Sequence, residues 1–236
     1  MTTQITEQPW DEATFTARLR EVGGNIYHDK HPFHVLMNEG KLEPDQIRGW
    51  VINRFYYQCN IPIKDAAILS NCPLRDVRRQ WVARIIEHDG TQGEEGGIES
   101  WLRLGMACGI EREEMLSNRT VLPGVRFAVD AYVNLCRTKP WPVAISSSLT
   151  ELFAPDLMKA RLASFEANYT WVKPWGFDYF KRRVTQAKKE SDIGLRLTLQ
   201  YCNTPELQRA AVDALTFKCD LLWAILDAVA LKYGKA

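Results

Sequence analysis

Arg84 and His88 lie one helical turn apart, and their side chains could bind an anion and transfer a proton. Read as a helix, the surrounding sequence has an apolar stripe formed by Val77, Trp81 and Ile85. Arg84 and His88 fall on or beside this stripe. A stripe that packs against a core should be apolar, because burying an unpaired charge costs several kcal/mol. We therefore predict that the two side chains line a cavity.

Polar and ionisable side chains break the apolar faces of other predicted helices in the same way. Lys218 lies in the middle of the inward face of the last helix, where its ammonium group has no short route to the surface. Taken singly, each such arginine could form a surface ion pair, and each tyrosine could be a core residue. The further candidates are Arg54, Tyr57 and Gln58, which share one face, and Tyr132, Glu151, Arg161, Tyr179 and Arg183.

The repetition of this pattern over five helices favours a binding site for an anion. Arginine binds a carboxylate or phosphate through two parallel hydrogen bonds, so the expected ligand is a compact polyanion. Tyrosine and glutamine side chains would orient it. His88, and secondly His28, are the candidates for proton transfer, because an imidazole has a pKa near neutral pH. The five inward cations are Arg54, Arg84, Arg161, Arg183 and Lys218.

The overall composition argues against several classes of partner. Lys and Arg number 30 against 29 for Asp and Glu, so no basic field is available for nucleic acid or an anionic membrane. The most apolar run, from residue 221 to residue 231, is short and contains Asp227, so we predict no membrane span. Six scattered cysteines without a CxxC pair, and no secretory signal pattern, predict reduced thiols and a cytoplasmic location.

Common catalytic and cofactor motifs are missing from the sequence. There is no phosphate-binding GxxxxGK[ST] motif, no HExxH and no Glu-x-x-His of a di-iron bundle. His28, His31 and His34 could suggest zinc, but Pro32 separates them, and we predict no metal site. No Ser–His or Cys–His nucleophile arrangement can be read from the spacing.

The secondary-structure pattern predicts an all-α fold. No stretch alternates apolar and polar residues as a half-buried strand would. We predict a flexible N-terminus at residues 1–10, followed by a single all-helical catalytic domain of about seven helices at residues 11–236.

Helix ends are predicted mainly from glycine and proline. Gly23 and Gly24 are expected to end the first helix, and Pro62 to interrupt the helix that begins at Pro44. Separate helices are predicted at about 177–188 and 195–201. The last helix is predicted from Pro205 to Tyr233, with Thr204 as its N-cap.

Seven longer motifs contain most of these candidates. They lie at residues 27–34, 53–58, 61–65, 84–90, 126–132, 147–155 and 213–219. In type and order they resemble the motifs of the pyrroloquinoline quinone (PQQ) synthase C family, and the resemblance runs from about residue 11 to the end.

The resemblance implies an all-helical fold similar to haem oxygenase and thiaminase II, assembled as a homodimer. It implies the last step of PQQ biosynthesis, in which the bicyclic precursor AHQQ undergoes ring closure and oxidation by O2, with release of hydrogen peroxide. The family uses no metal or flavin, so O2 is a co-substrate and no cofactor is expected. Both precursor and product carry several carboxylates, which agrees with the cationic site inferred from the residues.

The resemblance also implies a role for each candidate. Arg54, Gln58, Arg161, Arg183 and Lys218 would hold the carboxylates and quinone oxygens. His88 would be the main acid–base group, and Tyr179 and Arg183 would lie over the substrate and the oxygen site. Tyr27, His28, Tyr57, Arg84, Tyr132 and Glu151 would line the pocket, with His28 also a catalytic candidate.

The sequence departs from the family at Met158, where many members carry histidine. A thioether cannot donate a hydrogen bond to O2 or peroxide. We expect turnover to survive, with His88, Tyr179 and Arg183 sufficient for the oxidation.

Two other functions stay open at this point. A hydrolase similar to thiaminase II would need a cysteine nucleophile with a carboxylate partner and a pocket suited to a cationic substrate, and five inward cations argue against it. A non-catalytic carrier would bind finished PQQ and leave the precursor unchanged.

Overall fold

The computed structural model describes residues 7–234, excluding the side chains of residues 185, 188 and 189. Within this range the chain forms eleven α-helices and three short 3-10 turns, and its only β-bridge is the isolated pair Gly90–Glu95. The helices are α1 (Glu12–Ile26), α2 (Pro32–Asn38), α3 (Pro44–Asn71), α4 (Arg75–Asp89), α5 (Gly97–Ala107), α6 (Arg112–Ser117), α7 (Pro123–Thr138), α8 (Trp141–Ser146), α9 (Ala154–Asn168), α10 (Asp178–Tyr201) and α11 (Pro205–Tyr233). The all-α prediction is confirmed. The number of helices exceeds the predicted seven, and three of them, α2, α6 and α8, have only six or seven residues.

The expectation that Pro62 interrupts α3 is wrong. The helix runs through Pro62 for 28 residues. Proline lacks the N–H that would bond the carbonyl of residue 58, which weakens an isolated helix. Here α3 lies among α4, α5, α7 and α11, and the buried packing on its faces outweighs the lost hydrogen bond.

The predicted break between residues 188 and 195 is also wrong, since α10 is one continuous helix of 24 residues. The polar stretch at the predicted break contains Glu190, which is buried and paired with Arg84 and Arg183. Its polarity therefore serves an interior ion-pair network, and helix formation continues through it.

Gly23 and Gly24 do not end α1, which continues to Ile26. Gly23 packs closely against the ring of Phe153, and a Cβ at this position would lie about 2.1 Å from that ring. The glycine therefore permits a close approach between α1 and the turn before α9.

One apolar cluster runs through the molecule from Tyr27 to Val229, with the long helices α3 and α11 at its centre. At the N-terminal side, the backbone N–H of Trp10 donates to the Gln208 side chain on α11. Residues 1–6 of the predicted flexible terminus lie outside the described residues. No helix in the described range combines the length and apolar composition that a bilayer span requires.

Candidate active site

A cavity with about 520 Å³ of empty space lies between α3, α4, α9, α10 and α11. We call it the main cavity. Ten of the thirteen predicted site residues line it: Tyr27, His28, Arg54, Tyr57, Gln58, His88, Glu151, Arg161, Tyr179 and Arg183. The other lining residues are Ile61, Trp101, Thr150, Ala154, Met158 and Leu222. The packing of the helices thus brings together residues as distant in sequence as Tyr27 and Leu222, which are 195 positions apart.

Lys218, Tyr132 and Arg84 do not line the main cavity but lie behind its wall. The Lys218 ammonium donates a hydrogen bond to the Tyr57 hydroxyl. It also lies 4.0 Å and 3.9 Å from the ring centroids of Tyr57 and Tyr132, whose rings are parallel. Lys218 and Tyr132 therefore act on the cavity through Tyr57.

Arg54 and Arg161 are cations of the cavity wall with no carboxylate ion pair among the described residues. Arg54 donates from Nη1 to Gln58 Oε1 at 2.9 Å and lies over the Tyr57 ring. Arg161 is 3 % exposed, and its Nε and Nη2 atoms have no hydrogen-bond partner in the described part of the chain. Burial lowers the pKa of Arg161 to about 10. Both guanidinium groups are thus available to a bound anion.

Arg183 and Arg84 differ from these two because the protein itself neutralises them. Arg183 donates to Glu190 Oε1 at 2.9 Å and to the Glu151 carboxylate. Arg84 Nη1 lies 2.5 Å from Glu190 Oε2, and its Nε lies 3.4 Å from Asp65 Oδ2. Burial alone would lower the pKa of Arg84, but the carboxylates of Glu190 and Asp65 outweigh it and raise that pKa. Arg84 is thus not among the lining residues of the main cavity and belongs to a buried ion-pair network.

Three buried charged residues close to the site, Lys64, Asp65 and Glu190, were not predicted as site residues from the sequence. Lys64 Nζ lies 2.6 Å from Asp65 Oδ1 and 2.6 Å from Ser148 Oγ, and Trp81 Nε1 donates to the same Asp65 oxygen at 2.8 Å. The spacing of residues 61, 64, 65 and 68 is i, i+3, i+4, i+7, which places the two charged side chains on a buried face. That periodicity was a usable signal for Lys64 and Asp65.

His88 is 2 % exposed, and neither ring nitrogen has a hydrogen-bond partner among the residues described. Burial lowers the pKa of His88 to about 3; the Glu190 carboxylate opposes this shift, and Arg183 and Arg84 add to it. The imidazole is therefore neutral at pH 7 and a weak base in the empty protein, although the sequence analysis expected a pKa near neutral pH. Beside it, the Tyr179 hydroxyl accepts a hydrogen bond from Gln58 Nε2 at 2.7 Å.

The three N-terminal histidines have separate local roles. His31 Nδ1 accepts from the Phe33 N–H and so caps α2, while its Nε2 lies 3.1 Å from Asp227. His34 Nδ1 lies 2.9 Å from the carbonyl oxygen of His28. Of this trio only His28 lines the main cavity, where burial, with Arg161 adding to it, holds its pKa well below the ordinary value.

The comparison with protein families places this site in a known group of proteins. Residues 16–228 match the TENA/THI-4/PQQC family. The chain belongs to this family. Among the curated TENA/THI-4/PQQC relatives, the "Pyrroloquinoline-quinone synthase" of Pseudomonas aeruginosa is 55 % identical over 223 residues, covering 94 % of this chain and 89 % of the relative. The protein of the same name from Cronobacter sakazakii is 56 % identical over 219 residues, covering 93 % and 87 %. These matches confirm the resemblance seen in the sequence motifs.

Solved structures support the same fold. A TenA homologue from Pseudomonas syringae pv. tomato matches with a TM-score of 0.78 at 14 % identity, covering 96 % of this chain and 99 % of that one. A domain with a heme oxygenase-like fold from Shewanella denitrificans matches with a TM-score of 0.74 at 15 % identity, covering 95 % and 94 %. At this identity the two matches establish the fold alone.

Proposed function

We propose that the protein is a pyrroloquinoline-quinone synthase and catalyses the last step of PQQ biosynthesis. It closes the third ring of the bicyclic precursor AHQQ and oxidises the product with O2, releasing hydrogen peroxide. The observation that carries this proposal is the identity of more than half of the residues to relatives of that name, over nearly the whole length of both chains.

The charge distribution of the cavity supports a polycarboxylate ligand. Arg54 and Arg161 present guanidinium groups without carboxylate partners in the described structure, and the buried Lys218 ammonium lies behind Tyr57. Buried cations of this kind are costly in the empty protein and gain charge-assisted hydrogen bonds when an anion binds.

Each lining residue has a role in this proposal. Arg54 and Arg161 bind carboxylates of the precursor, and Gln58 and Tyr179 orient its ring system through hydrogen bonds. His88 exchanges a proton with the bound precursor in this proposal, because it lies at the cavity wall and neither ring nitrogen has a partner among the described residues. The enclosed cavity keeps water away from the reacting atoms.

The oxidation is proposed to need no metal or flavin, with the electrons passing from the anionic substrate to O2. Met158 lies at the cavity wall, so the side chain that differs from many family members is in reach of the substrate. It stays a prediction that the enzyme turns over with methionine at position 158. The cytoplasmic location expected from the cysteine pattern and the homodimer expected from the family are part of the same proposal.

The alternative of a hydrolase similar to thiaminase II receives no support from the cavity. In the described structure, no cysteine is among its lining residues. Five of the six cysteines are buried, and the pKa of Cys59, the sixth, is raised to about 11, mainly by burial, so it is a thiol at neutral pH.

The decisive experiment mixes purified, metal-stripped protein with AHQQ under air and follows the quinone absorbance and hydrogen peroxide. The proposal expects both to rise together and to stop without O2. A carrier would bind added PQQ and leave the precursor unchanged, which would overturn the proposal. The variant His88→Ala is expected to retain PQQ binding and to stall turnover, whereas unchanged rates would remove His88 from its assigned role.

A further inference from the structure

A second, smaller cavity lies on the other side of His88. It has about 240 Å³ of empty space between α4, α5 and α10. His88, Tyr179 and Arg183 line both this small cavity and the main cavity, so these three side chains form the wall between them. The other lining residues of the small cavity are Glu87, Gly97, Ser100, Arg182 and Gln186.

The orientation of the imidazole relates its two nitrogens to the two cavities. A Cβ at Gly97, which lines the small cavity, would lie 3.2 Å from His88 Nδ1. The Nδ1 atom therefore faces the small cavity. Nε2 points away from Nδ1 on the ring, and His88 also lines the main cavity, so Nε2 is the nitrogen left to face that cavity. With neither nitrogen bonded to a described residue, both are open to exchange a proton.

The small cavity lies between this nitrogen and an exposed side chain, Arg182. The Arg182 side chain in its wall is exposed, and its Nη1 donates to the Glu95 carbonyl at 3.0 Å and to Ser100 Oγ at 3.4 Å. Together with Gln186, these groups place polar side chains in a lining that also has apolar surface. A water bound between them would form several hydrogen bonds.

We propose that the small cavity is a proton passage between His88 Nδ1 and solvent, an inference that rests on the proposed function of the main cavity. His88 Nε2 takes a proton from the precursor while Nδ1 gives its proton to water in the small cavity, so the charge of the ring is unchanged. In the reverse movement, Nδ1 takes a proton from that water and Nε2 gives its proton to the peroxide formed from O2. The ring then returns to its starting tautomer.

Gly97 offers a direct test because its backbone conformation does not require glycine. Neither Gly97 nor Gly93, in the preceding loop, has a positive φ angle. In Gly97→Ala the new methyl group would stand against Nδ1 and narrow the passage. Gly93→Ala is the matched control, because a Cβ there has no atom within 4 Å.

The first measurement is the rate of quinone formation in H2O and D2O for the wild type and the two variants. Gly97→Ala is expected to react about tenfold more slowly, with a larger solvent isotope effect and unchanged affinity for PQQ. Gly93→Ala is expected to behave as the wild type. A rate and isotope effect for Gly97→Ala equal to those of the control would overturn the passage. Gln186→Leu, which replaces a polar lining group, is expected to change the rate in the same direction.

The second measurement does not depend on turnover. In protein labelled with 15N-histidine, exchange of the His88 ring proton with water is followed by saturation transfer, and the chain has only four histidines to assign. The passage predicts slower exchange in Gly97→Ala than in the wild type and in Gly93→Ala. Equal exchange in all three would overturn it. Absence of quinone formation by the wild type would contradict the proposed function, whereas the exchange rates still decide the passage.

Discussion

Arg183 donates a hydrogen bond to the Glu151 carboxylate at the wall of the main cavity. A carboxylate in a site for a polycarboxylate ligand is unexpected, because like charges repel. The contact with Arg183 explains why a carboxylate lies here, because Glu151 balances the charge of that buried guanidinium in the empty protein. A carboxylate of the ligand can then take its place on Arg183.

Glu151→Gln should therefore strengthen PQQ binding. Removing the charge eliminates repulsion and leaves Arg183 more available, and we expect Kd to fall about tenfold, or about 1.4 kcal/mol. The melting temperature should fall at the same time, because Arg183 loses a buried partner. Glu166→Gln, on the exposed side of α9, carries the same change of charge and should alter neither value. Weaker binding by Glu151→Gln would show that the carboxylate itself holds the ligand.

Arg161→Gln should weaken PQQ binding and leave the fold as stable as before. The guanidinium has two unpartnered nitrogens among the residues described, so its removal relieves a desolvation cost in the empty protein. A charge-assisted hydrogen bond to the ligand contributes about 2 kcal/mol, so Kd should rise about 30-fold. Titration calorimetry and thermal unfolding measure the two effects, with the exposed Arg119→Gln as control. A large loss of stability would assign Arg161 to the fold.

Arg84→Gln, in contrast to Arg161→Gln, should lower the stability of the fold. It leaves the buried Glu190 and Asp65 carboxylates without one cation, which costs about 3–5 kcal/mol in the free energy of unfolding. Urea denaturation measures this loss. The double variant Arg84→Gln with Glu190→Gln should recover part of it, because the pair is removed together. If the loss in the double variant equalled the sum of the losses in the two single variants, the proposed pairing would be contradicted.

PQQ binding should take up protons through Lys218. Burial, with Arg54 and Lys64 adding to it, holds the pKa of the Lys218 ammonium well below its ordinary value. A bound polyanion favours the charged form and raises that pKa, so the complex binds more protons than the free protein. Affinity should therefore fall as pH rises between the free and bound pKa values. Calorimetry in buffers of different ionisation enthalpy counts these protons. The Lys218→Met variant should take up fewer protons than the wild type when PQQ binds.

The sequence by itself determined the all-α fold, the ends of α11 and ten residues of the main cavity. These conclusions were within reach because the signals are local. A polar side chain on an otherwise apolar helical stripe must face something other than hydrocarbon, and helical spacing shows which side chains share a face. The motifs of the family then related the separate faces to one another.

Only the tertiary structure decided which cations face the main cavity without a carboxylate partner in the described structure and which are neutralised. Arg84 and Arg161 look alike in sequence, since each breaks an apolar stripe. Arg84 meets Glu190, a partner 106 positions away on α10, whereas Arg161 lies against the ring of Trp50. Helical periodicity describes the face of one helix and says nothing about the residue that a neighbouring helix places opposite it. For the same reason, the continuity of α10 through its polar segment became evident only with the buried partners of Glu190.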